Sequence, residues 1–300
     1  MVENLAVGTF TPSFLIALAR SDGRFAEAGL NVTEEAVTSS PQQFRSLQEG
    51  NYDVVFTNTD NIIAYQFLRD NPLKTLLTLR VFAGIDRGLG LGLFRGPQVD
   101  AELRHGKLGV DVATSGFAFV AYEILFRQGF VLEEMEIENL GATPRRARAL
   151  VEGACEYTIL NAGNELRVQT QGCSLIEPVT AIGSYLGTVL AALRTNDKEK
   201  VLVQNRFRQV LEDTTQSILS GERDAEILGI VQELLDIDVG EARQHLGAIH
   251  DPLTGLVPGV GVDVASIATV LDLRSRHRPS DELSNVLDQL DSFIDRDALV

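Results

Sequence analysis

The sequence predicts an α/β protein of two similar lobes, each built on a mostly parallel β-sheet covered by helices. Short apolar runs typical of buried strands alternate with longer runs of helical periodicity. The same pattern returns about one hundred residues further along the chain, which indicates a duplicated unit. With 300 residues, 44% of them hydrophobic, the chain is long enough for more than one core.

The repeat is carried by two pairs of segments. VGTFTPSFLIALARSDGRFAEAGLNVTEEAV, which starts at Val7, corresponds to VDVATSGFAFVAYEILFRQGFVLEEMEIENL, which starts at Val110. PQQFRSLQEGNYDVVFTNTDN, which starts at Pro41, corresponds to PRRARALVEGACEYTILNAGNE, which starts at Pro144. Chance similarity of helix–strand patterns explains part of the match, but not the preserved order of the runs. Each half therefore predicts a β-α-β-α-β unit.

Polar residues directly follow the predicted strands, and ligands of open parallel sheets bind beyond the carboxyl ends of the strands. Residues 58–61 follow a strand of the first half, and residues 161–164 follow its counterpart. Small polar residues also precede the first helix of each half, where free N–H groups suit a carboxylate, sulfonate or phosphate. Alternatively, these residues are plain N-caps. The predicted ligand-binding residues of these loops are Thr9, Thr11, Pro12, Asn58, Thr59, Asp60, Asn61, Thr114, Ser115, Gly116, Asn161, Ala162, Gly163 and Asn164.

Two extended segments connect the halves, KTLLTLRVFAGIDRGLGLGLFRG and SLIEPVTAIGSYLGTVLAALRT. They predict hinge strands, because Gly, Asp and Pro at their breaks absorb backbone rotation. Arg87 and Tyr185 fall near the crossings and are expected to face a cleft between the lobes; Arg87 is alternatively a surface turn residue. The predicted division places residues 1–86 and 186–276 in lobe 1, 87–185 in lobe 2 and 277–300 in a C-terminal helical extension.

The last third of the chain is predicted to be helical. Apolar residues at helical spacing predict helices over 199–220, 224–235 and 239–247, and we expect these three helices to pack on the first lobe. Residues 266–273 predict one more helix. A terminal amphipathic helix is predicted over 283–294. It is expected either to lie along the body or to mediate a homodimer.

Composition excludes several classes of function. The chain has 26 Lys and Arg against 42 Asp and Glu, a formal charge of −16, and no basic cluster interleaved with aromatic residues, so we expect no nucleic-acid partner. No apolar run reaches the length of a membrane span, so we expect no membrane insertion. Cys155 and Cys173 lie in apolar segments, and the four histidines show no metal-ligand spacing with them. We therefore expect no metal and no cofactor.

The N-terminal residues bear on localisation. MVENLAVGTF begins a strand pattern almost at once, without a basic segment followed by an apolar one. As the chain is written, this predicts a cytoplasmic protein. Removal of a leader would instead place it in the periplasm or outside the cell.

Five segments together resemble a known family: TPSFLIALARSDGRFAEAGLNV, SLQEGNYDVVFTNTDN, LGVDVATSGFAFVAYEILFRQGF, ATPRRARALVEGACEYTILNAGNE and VDVASIATVLDLR. The chain resembles the type II periplasmic-binding-protein fold, in the nitrate/sulfonate/taurine-binding (SsuA-like) and NMT1/THI5-like branch, over roughly residues 4–276. This resemblance implies two α/β lobes, two crossover strands and a ligand held in the interlobe cleft. The residues that match the cleft-lining positions are Thr11, Pro12, 58–61, Ser115, Gly116 and 161–164. The cysteine-rich iron motif of the thiamine-pyrimidine synthases of this superfamily has no counterpart here.

The resemblance implies a protein that binds a small organic acid or other small metabolite and closes on it, as the solute-binding component of an ABC transporter does. An ABC permease is then the expected partner. The superfamily also contains cytosolic enzymes, so a lyase or decarboxylase-like enzyme acting on a small carboxylated or aromatic metabolite is the alternative. Asp60 is the candidate acid or base of such an enzyme, because lobe closure can desolvate a carboxylate at a strand end and raise its pKa. Alternatively, Asp60 caps the following helix.

Overall fold

The computed structural model describes residues 2–300, which form two five-stranded β-sheets with helices packed on them. Sheet A with its helices forms lobe 1, and sheet B with its helices forms lobe 2. The strands are β1 (Glu3–Thr9), β2 (Leu30–Ala36), β3 (Val54–Thr57), β4 (Leu79–Asp86), β5 (Gly92–Arg95), β6 (Gly106–Val110), β7 (Met135–Asn139), β8 (Tyr157–Leu160), β9 (Ser174–Pro178) and β10 (Thr188–Leu193). The α-helices are α1 (Phe14–Ser21), α2 (Arg24–Glu27), α3 (Ser40–Glu49), α4 (Thr59–Phe67), α5 (Gly116–Arg127), α6 (Thr143–Val151), α7 (Asn164–Gln169), α8 (Lys198–Leu219), α9 (Asp224–Leu235), α10 (Val239–His250) and α11 (Val264–His277).

The two sheets have equivalent strand orders and directions. Sheet A has the order β2-β1-β3-β10-β4: β1 pairs in parallel with β2 and β3, and β10 runs antiparallel between β3 and β4. Sheet B has the order β7-β6-β8-β5-β9: β6 pairs in parallel with β7 and β8, and β5 runs antiparallel between β8 and β9. All strands of a sheet except one therefore point the same way. The predicted duplicated, two-lobed α/β architecture is confirmed.

The chain crosses between the sheets twice. After β4 it leaves sheet A through residues 87–91 and enters sheet B as β5, and after β9 it returns through residues 179–187 as β10. The two crossings touch each other, because a Cβ atom built on Gly187 lies only 2.6 Å from the backbone N and Cα atoms of Gly88. A residue without a side chain is therefore required where the crossings meet.

Side-chain caps begin the three helices that follow the carboxyl ends of β1, β3 and β6. Ser13 caps α1, Asn58 caps α4 and Ser115 caps α5. The side-chain oxygen lies 3.4, 2.7 and 3.1 Å, respectively, from the backbone nitrogen that donates to it. Such caps satisfy amide groups that have no partner within the helix. The N-cap interpretation of the residues before the first helix of each half is therefore correct for Ser13 and Ser115.

The helices after residue 197 do not all pack on lobe 1. Helices α8 and α9 pack on α1 of lobe 1, as expected, but α10 also contacts α7 of lobe 2, and α11 contacts both α4 of lobe 1 and α5 of lobe 2. The prediction that the 239–247 helix packs on the first lobe is therefore incomplete, because α10 packs on both lobes, and α11 joins the two lobes. Helical periodicity shows that a helix has a buried face, but not which element covers that face.

The predicted terminal helix over 283–294 is wrong. The segment contains two short 3₁₀ helices, Asp281–Leu283 and Leu287–Ser292, followed by extended chain. Phe293 and Ile294 are buried against the body, and Ile294 forms a bridge to Val81 of β4. A continuous α-helix turns its amide groups inward and cannot make this contact with a strand. The apolar residues of the segment therefore lie along the body.

The length and charge of the helices also bear on membrane insertion. Helix α8 has 22 residues, long enough for a bilayer, but its sequence KEKVLVQNRFRQVLEDTTQSIL contains many charged residues. No helix within residues 2–300 combines the length and apolar character that a membrane crossing needs.

Candidate functional site

A cavity lies between the two lobes, at the carboxyl ends of the parallel strands. Its volume is about 130 Å³, counted as the space that the centre of a water molecule can occupy. One buried water needs roughly 10–15 Å³ on that measure. The cavity therefore has room for a small organic molecule.

Three parts of the molecule form the cavity wall. Lobe 1 contributes the ends of β1, β3 and β4, and lobe 2 contributes the ends of β6 and β8 with the starts of α5 and α6. Helices α9 and α10 close the third side. The polar residues of the wall are Thr11, Ser13, Thr57, Asn58, Asn61, Asp86, Asp111, Ser115, Thr143, Arg146, Asn161, Thr188 and His245.

Aromatic rings form much of the apolar wall. Phe10, Phe14 and Phe56 come from lobe 1, and Phe117 comes from the first turn of α5 in lobe 2. The Phe14 ring meets the His245 ring edge to face, with their centroids 6.1 Å apart. Rings from both lobes suit a ligand with a flat or apolar body.

Two carboxylates reach the cavity from opposite lobes. Asp86 ends β4 of lobe 1, and its Oδ1 accepts a hydrogen bond of 2.8 Å from the Gly88 N–H. Burial raises the pKa of Asp86 to about 6, although hydrogen bonds from Thr188 and Gly88 oppose the shift. Asp111 follows β6 of lobe 2; burial raises its pKa as well, and the nearby Arg146 charge opposes that shift.

Arg146 is the one cation of the cavity wall within residues 2–300, and it is buried. Its Nε donates to the Ile159 carbonyl at 3.2 Å, Nη1 to the Gly141 carbonyl at 2.6 Å and Nη2 to Thr143 Oγ1 at 3.0 Å. These bonds tie α6 to the end of β8. The guanidinium therefore organises the loops of lobe 2 as well as lining the cavity.

Three side chains near the cavity, Asp111, His245 and Glu165, each have one buried atom with no hydrogen-bond partner within residues 2–300. His245 on α10 lines the cavity and is only 1% exposed, and its Nδ1 is unpaired. Burial lowers the pKa of His245 to about 4, so the imidazole is neutral at pH 7. Glu165 on α7 lies against Gly90 of the first crossing with Oε2 unpaired, and burial raises its pKa to about 8.

Half of the predicted ligand-binding residues line the cavity. They come from the four loops that the repeat predicts to converge, two from each lobe. These residues are Thr11, Pro12, Asn58, Asn61, Ser115, Gly116, Asn161 and Ala162. Gly116 is also a point of contact between the lobes, because a Cβ atom built on it lies 2.4 Å from Asp60 Cβ.

Asp60 does not line the cavity, and its proposed role as acid or base does not fit this geometry. It is fully buried, and its two carboxylate oxygens each lie 2.6 Å from a guanidinium nitrogen of Arg274 on α11. Neither oxygen is free to meet a ligand. The capping alternative is also wrong, because Asn58 caps α4 and Asp60 lies within the first turn.

Arg87 and Tyr185 lie near the crossings but do not face the cavity. Arg87 pairs with Asp263, the N-cap of α11, at 3.1 Å. Asp86, the last residue of β4, lines the cavity, whereas Arg87 lies just outside the strand and is held toward α11 by this pair. Tyr185 is buried behind the wall, where its hydroxyl accepts a hydrogen bond of 3.1 Å from Asn58 Nδ2.

The remaining predicted residues hold the surrounding loops in place. Thr9 donates to Glu34 and Thr59 donates to the Leu186 carbonyl of the second crossing. The Thr114 carbonyl accepts from Arg274. The last two predicted residues after β8 also have structural contacts. Gly163 packs against Leu235 of α9, and Asn164 donates to the Asn161 carbonyl at 3.1 Å.

Sequence analysis missed the charged and aromatic part of the wall. Asp111 directly follows β6, so the rule that selected Asn58 applied to it as well. Asp86 directly precedes Arg87, which was the residue predicted to face the cleft. Arg146 and His245 lie inside helical patterns, and nothing in their spacing distinguished them from solvent-facing helix residues.

Comparison with known proteins rests on structure. No protein-family model matches the chain, and no curated protein matches its sequence. A gene product of Candida albicans, described as exhibiting the generic periplasmic binding protein structural fold, is 14% identical, with 98% of this chain and 97% of that chain covered and a TM-score of 0.72. The strand orders of both sheets, the two crossings between them and this structural match all indicate the same fold. The chain has the type II periplasmic-binding-protein fold.

Two further structures with the periplasmic-binding-protein fold are similar to this chain. The alkanesulfonate-binding protein SsuA from Xanthomonas axonopodis pv. citri, bound to MOPS, is 14% identical, covers 93% of this chain and 95% of its own, and has a TM-score of 0.73. The ligand-binding component of an ABC-type import system from Staphylococcus aureus, with zinc bound, is 12% identical, covers 98% and 96%, and has a TM-score of 0.73. The TM-scores establish a shared fold, and at these low identities they establish no more than the fold. The resemblance to SsuA is therefore confirmed for the fold.

Proposed function

We propose that this chain is a small-molecule binding protein whose two lobes close on a ligand, and that it serves as the solute-binding component of an ABC importer. The observation that carries the proposal is a cavity at the carboxyl ends of the strands whose wall is shared by both lobes. The neighbours named as SsuA and as a ligand-binding component of an ABC-type import system support it. The ligand is a small organic acid or other small metabolite.

Closure is the proposed mechanism. A ligand in the cavity contacts loops of both lobes at once, so it binds the closed form more tightly than the open form. This difference in affinity shifts the equilibrium between the two forms toward the closed one. The two crossings are the hinge, since they are the chain connections between the sheets. A permease then recognises the closed form.

Import implies a location and a partner. A solute-binding component captures its ligand outside the cytoplasm and delivers it to a permease, so we propose a periplasmic or extracellular location. Homodimerisation through residues 277–300 also stays a prediction. Because Phe293 and Ile294 are buried against the body, a dimer has to use the exposed side of that segment. Membership in the NMT1/THI5-like branch is likewise a prediction.

The test combines a ligand screen with a lock on the lobes. A thermal-shift screen of small organic acids, amines and pyrimidines should give hits that raise the Tm in a concentration-dependent way. Small-angle scattering of the protein with each hit should show a smaller radius of gyration. A hit that binds tightly without any compaction contradicts closure.

A disulfide can hold the lobes together across the cavity mouth. A Cβ atom built on Gly163 of lobe 2 lies 3.8 Å from the Leu235 Cβ of α9, a separation that suits a disulfide. Gly163 has φ +88°, so a cysteine there is strained in both redox states. The Gly163→Cys/Leu235→Cys protein should exchange a hit slowly when oxidised and rapidly when reduced, and the reduced protein, which has the same strain, is the control. Equal exchange rates in the two states contradict a closing cavity.

A further inference from the structure

We propose that the ligand carries a positively charged or N–H-rich group that Asp111 binds, beside a flat or apolar body held between the phenylalanine rings. This inference rests on the proposed function, because it names the ligand class of the same cavity. It distinguishes this chain from a receptor for simple anions.

The strongest observation is the unpaired oxygen of Asp111. The residue lines the cavity, and its Oδ1 is shielded from solvent and accepts no hydrogen bond within residues 2–300. An unpaired buried carboxylate oxygen is costly, because desolvation is not repaid by a hydrogen bond. An N–H group of a bound molecule supplies that bond, and a cationic N–H supplies it with the larger energy of a charged pair.

His245 provides a second, independent indication from another element. It is almost fully buried on α10, it lines the cavity, and its Nδ1 has no partner within residues 2–300. A neutral imidazole nitrogen accepts a hydrogen bond as readily as it donates one. Together with Asp111, it gives the cavity wall two side chains with an unpaired buried polar atom, one after β6 of lobe 2 and one on α10.

The charges of the wall favour the same class. Asp86 and Asp111 are the two acidic side chains of the wall, and Arg146 is the one cation among the described lining residues. Arg146 already donates to two carbonyl groups and to Thr143 Oγ1, so much of its donor capacity is used. The wall therefore has two acidic side chains against one basic side chain, and a cationic group beside them favours their ionised form, whereas an anion does not.

Helix N-termini favour an anion, which opposes the preference of the wall for a cation. Helices α1, α4 and α5 begin at the cavity, but Ser13, Asn58 and Ser115 already accept hydrogen bonds there. A side-chain cap satisfies one of the amides that would otherwise bind an anion.

The aromatic rings complete the ligand class. Phe10, Phe14 and Phe56 of lobe 1 and Phe117 of lobe 2 contribute to the wall. Ring faces attract cations and stack on flat heterocycles. An aromatic amidine, a protonated amine on a ring or an amino-substituted heterocycle therefore fits the wall better than a sulfonate or nitrate does.

Three probes of nearly equal shape test the inference by isothermal titration calorimetry: benzamidine as the cation, benzamide as the neutral analogue and benzoate as the anion. We expect benzamidine to bind at least about tenfold more tightly than benzoate at pH 7.5, with benzamide between them. Asp111→Asn keeps the shape and removes the charge, and it should abolish most of this preference. Asp288→Asn, an exposed acidic residue outside the cavity, is the matched control and should keep it.

The outcomes separate the ligand class from the function. Tighter binding of benzoate, or no binding of benzamidine, overturns the inference; if benzoate also compacts the protein in small-angle scattering, the proposed closing function still stands. An unchanged preference in a folded Asp111→Asn protein also overturns it. If Asp111→Asn does not fold, the preference of the native protein among the three probes decides the question. Absence of any hit in the wider thermal-shift screen contradicts the proposed function as well.

Discussion

Asp60 is the residue whose role differs most from the sequence-based hypothesis. Its carboxylate is fully buried in a bidentate pair with Arg274, which also donates to the Thr114 carbonyl of lobe 2 and lies 4.9 Å from the Phe119 ring centroid. The pair therefore joins lobe 1, lobe 2 and α11. A strand-end position alone does not distinguish this structural role from a catalytic one, since both place an acidic residue at the same point of the sequence.

Asp60→Asn should destabilise the protein because it leaves the Arg274 charge buried without its counter-charge. We expect a loss of about 3–5 kcal/mol in the free energy of unfolding, measured by urea denaturation. The double variant Asp60→Leu/Arg274→Met should recover much of the loss, because it removes both charges. A single variant as stable as the native protein contradicts the structural role.

Glu165 makes stability depend on pH. Burial raises the pKa of this carboxyl from its model-compound value of 4.5 to about 8 in the folded protein. A group with a raised folded pKa contributes stability that is present below the unfolded pKa and is lost as the pH rises through the folded pKa. The loss therefore falls between pH 4.5 and about 8, at about 1.4 kcal/mol for each pKa unit at most.

Glu165→Gln should remove this contribution to the pH dependence. Thermal denaturation should give similar Tm values for the variant and the native protein near pH 5, and a higher Tm for the variant at pH 8.5. Glu222→Gln, at an exposed position, is the control and should follow the native profile. A variant whose Tm falls with pH as steeply as that of the native protein contradicts the assignment to Glu165.

At the scale of elements, the sequence predicted what depends on local pattern. Strand and helix order, the duplicated unit and the loops after β3 and β8 follow from apolar periodicity and from where it stops. Which lobe α10 and α11 contact was not predictable, because a periodic helix has the same pattern whatever covers it. The C-terminal segment was also mispredicted, since its apolar residues suit an extended contact with β4 as well as a helix face.

The meeting of the two crossings gives a prediction for a pair of elements. Gly187→Ala places a Cβ atom 2.6 Å from the Gly88 backbone and 2.6 Å from Asp86 Oδ1. Backbone atoms cannot move aside without displacing a crossing, so we expect a loss of roughly 1–3 kcal/mol and altered hinge motion.

Differential scanning calorimetry measures the effect of Gly187→Ala against a matched glycine. Gly247→Ala lies within α10, where an added Cβ meets no atom within 4 Å. That control should gain up to about 1 kcal/mol from helix propensity. Opposite signs for the two variants are the expected result, and a neutral Gly187→Ala contradicts tight contact between the crossings.

At the scale of the whole molecule, the lobes are joined on two sides of the cavity. The crossings and α11 lie on one side, where Arg276 and His277 of α11 meet Glu123 of lobe 2. On the other side, Arg167 of α7 in lobe 2 donates from Nη2 to the carbonyls of Leu235 and Asp236, each at 2.7 Å. The first side contains the chain connections, so opening has to begin at the second.

Arg167→Ala should therefore favour opening without unfolding the lobes. The side chain is 41% exposed, so its loss costs little global stability, within about 1 kcal/mol, but it removes two charge-assisted hydrogen bonds that join α7 to the end of α9. Hydrogen exchange of the backbone amides of residues 235–238 should become faster, and the radius of gyration of the free protein should increase. Arg148→Ala on α6 of the same lobe is the control, because that side chain is exposed and makes no hydrogen bond within residues 2–300. If the two variants exchange alike at these amides, the mouth of the cavity opens elsewhere.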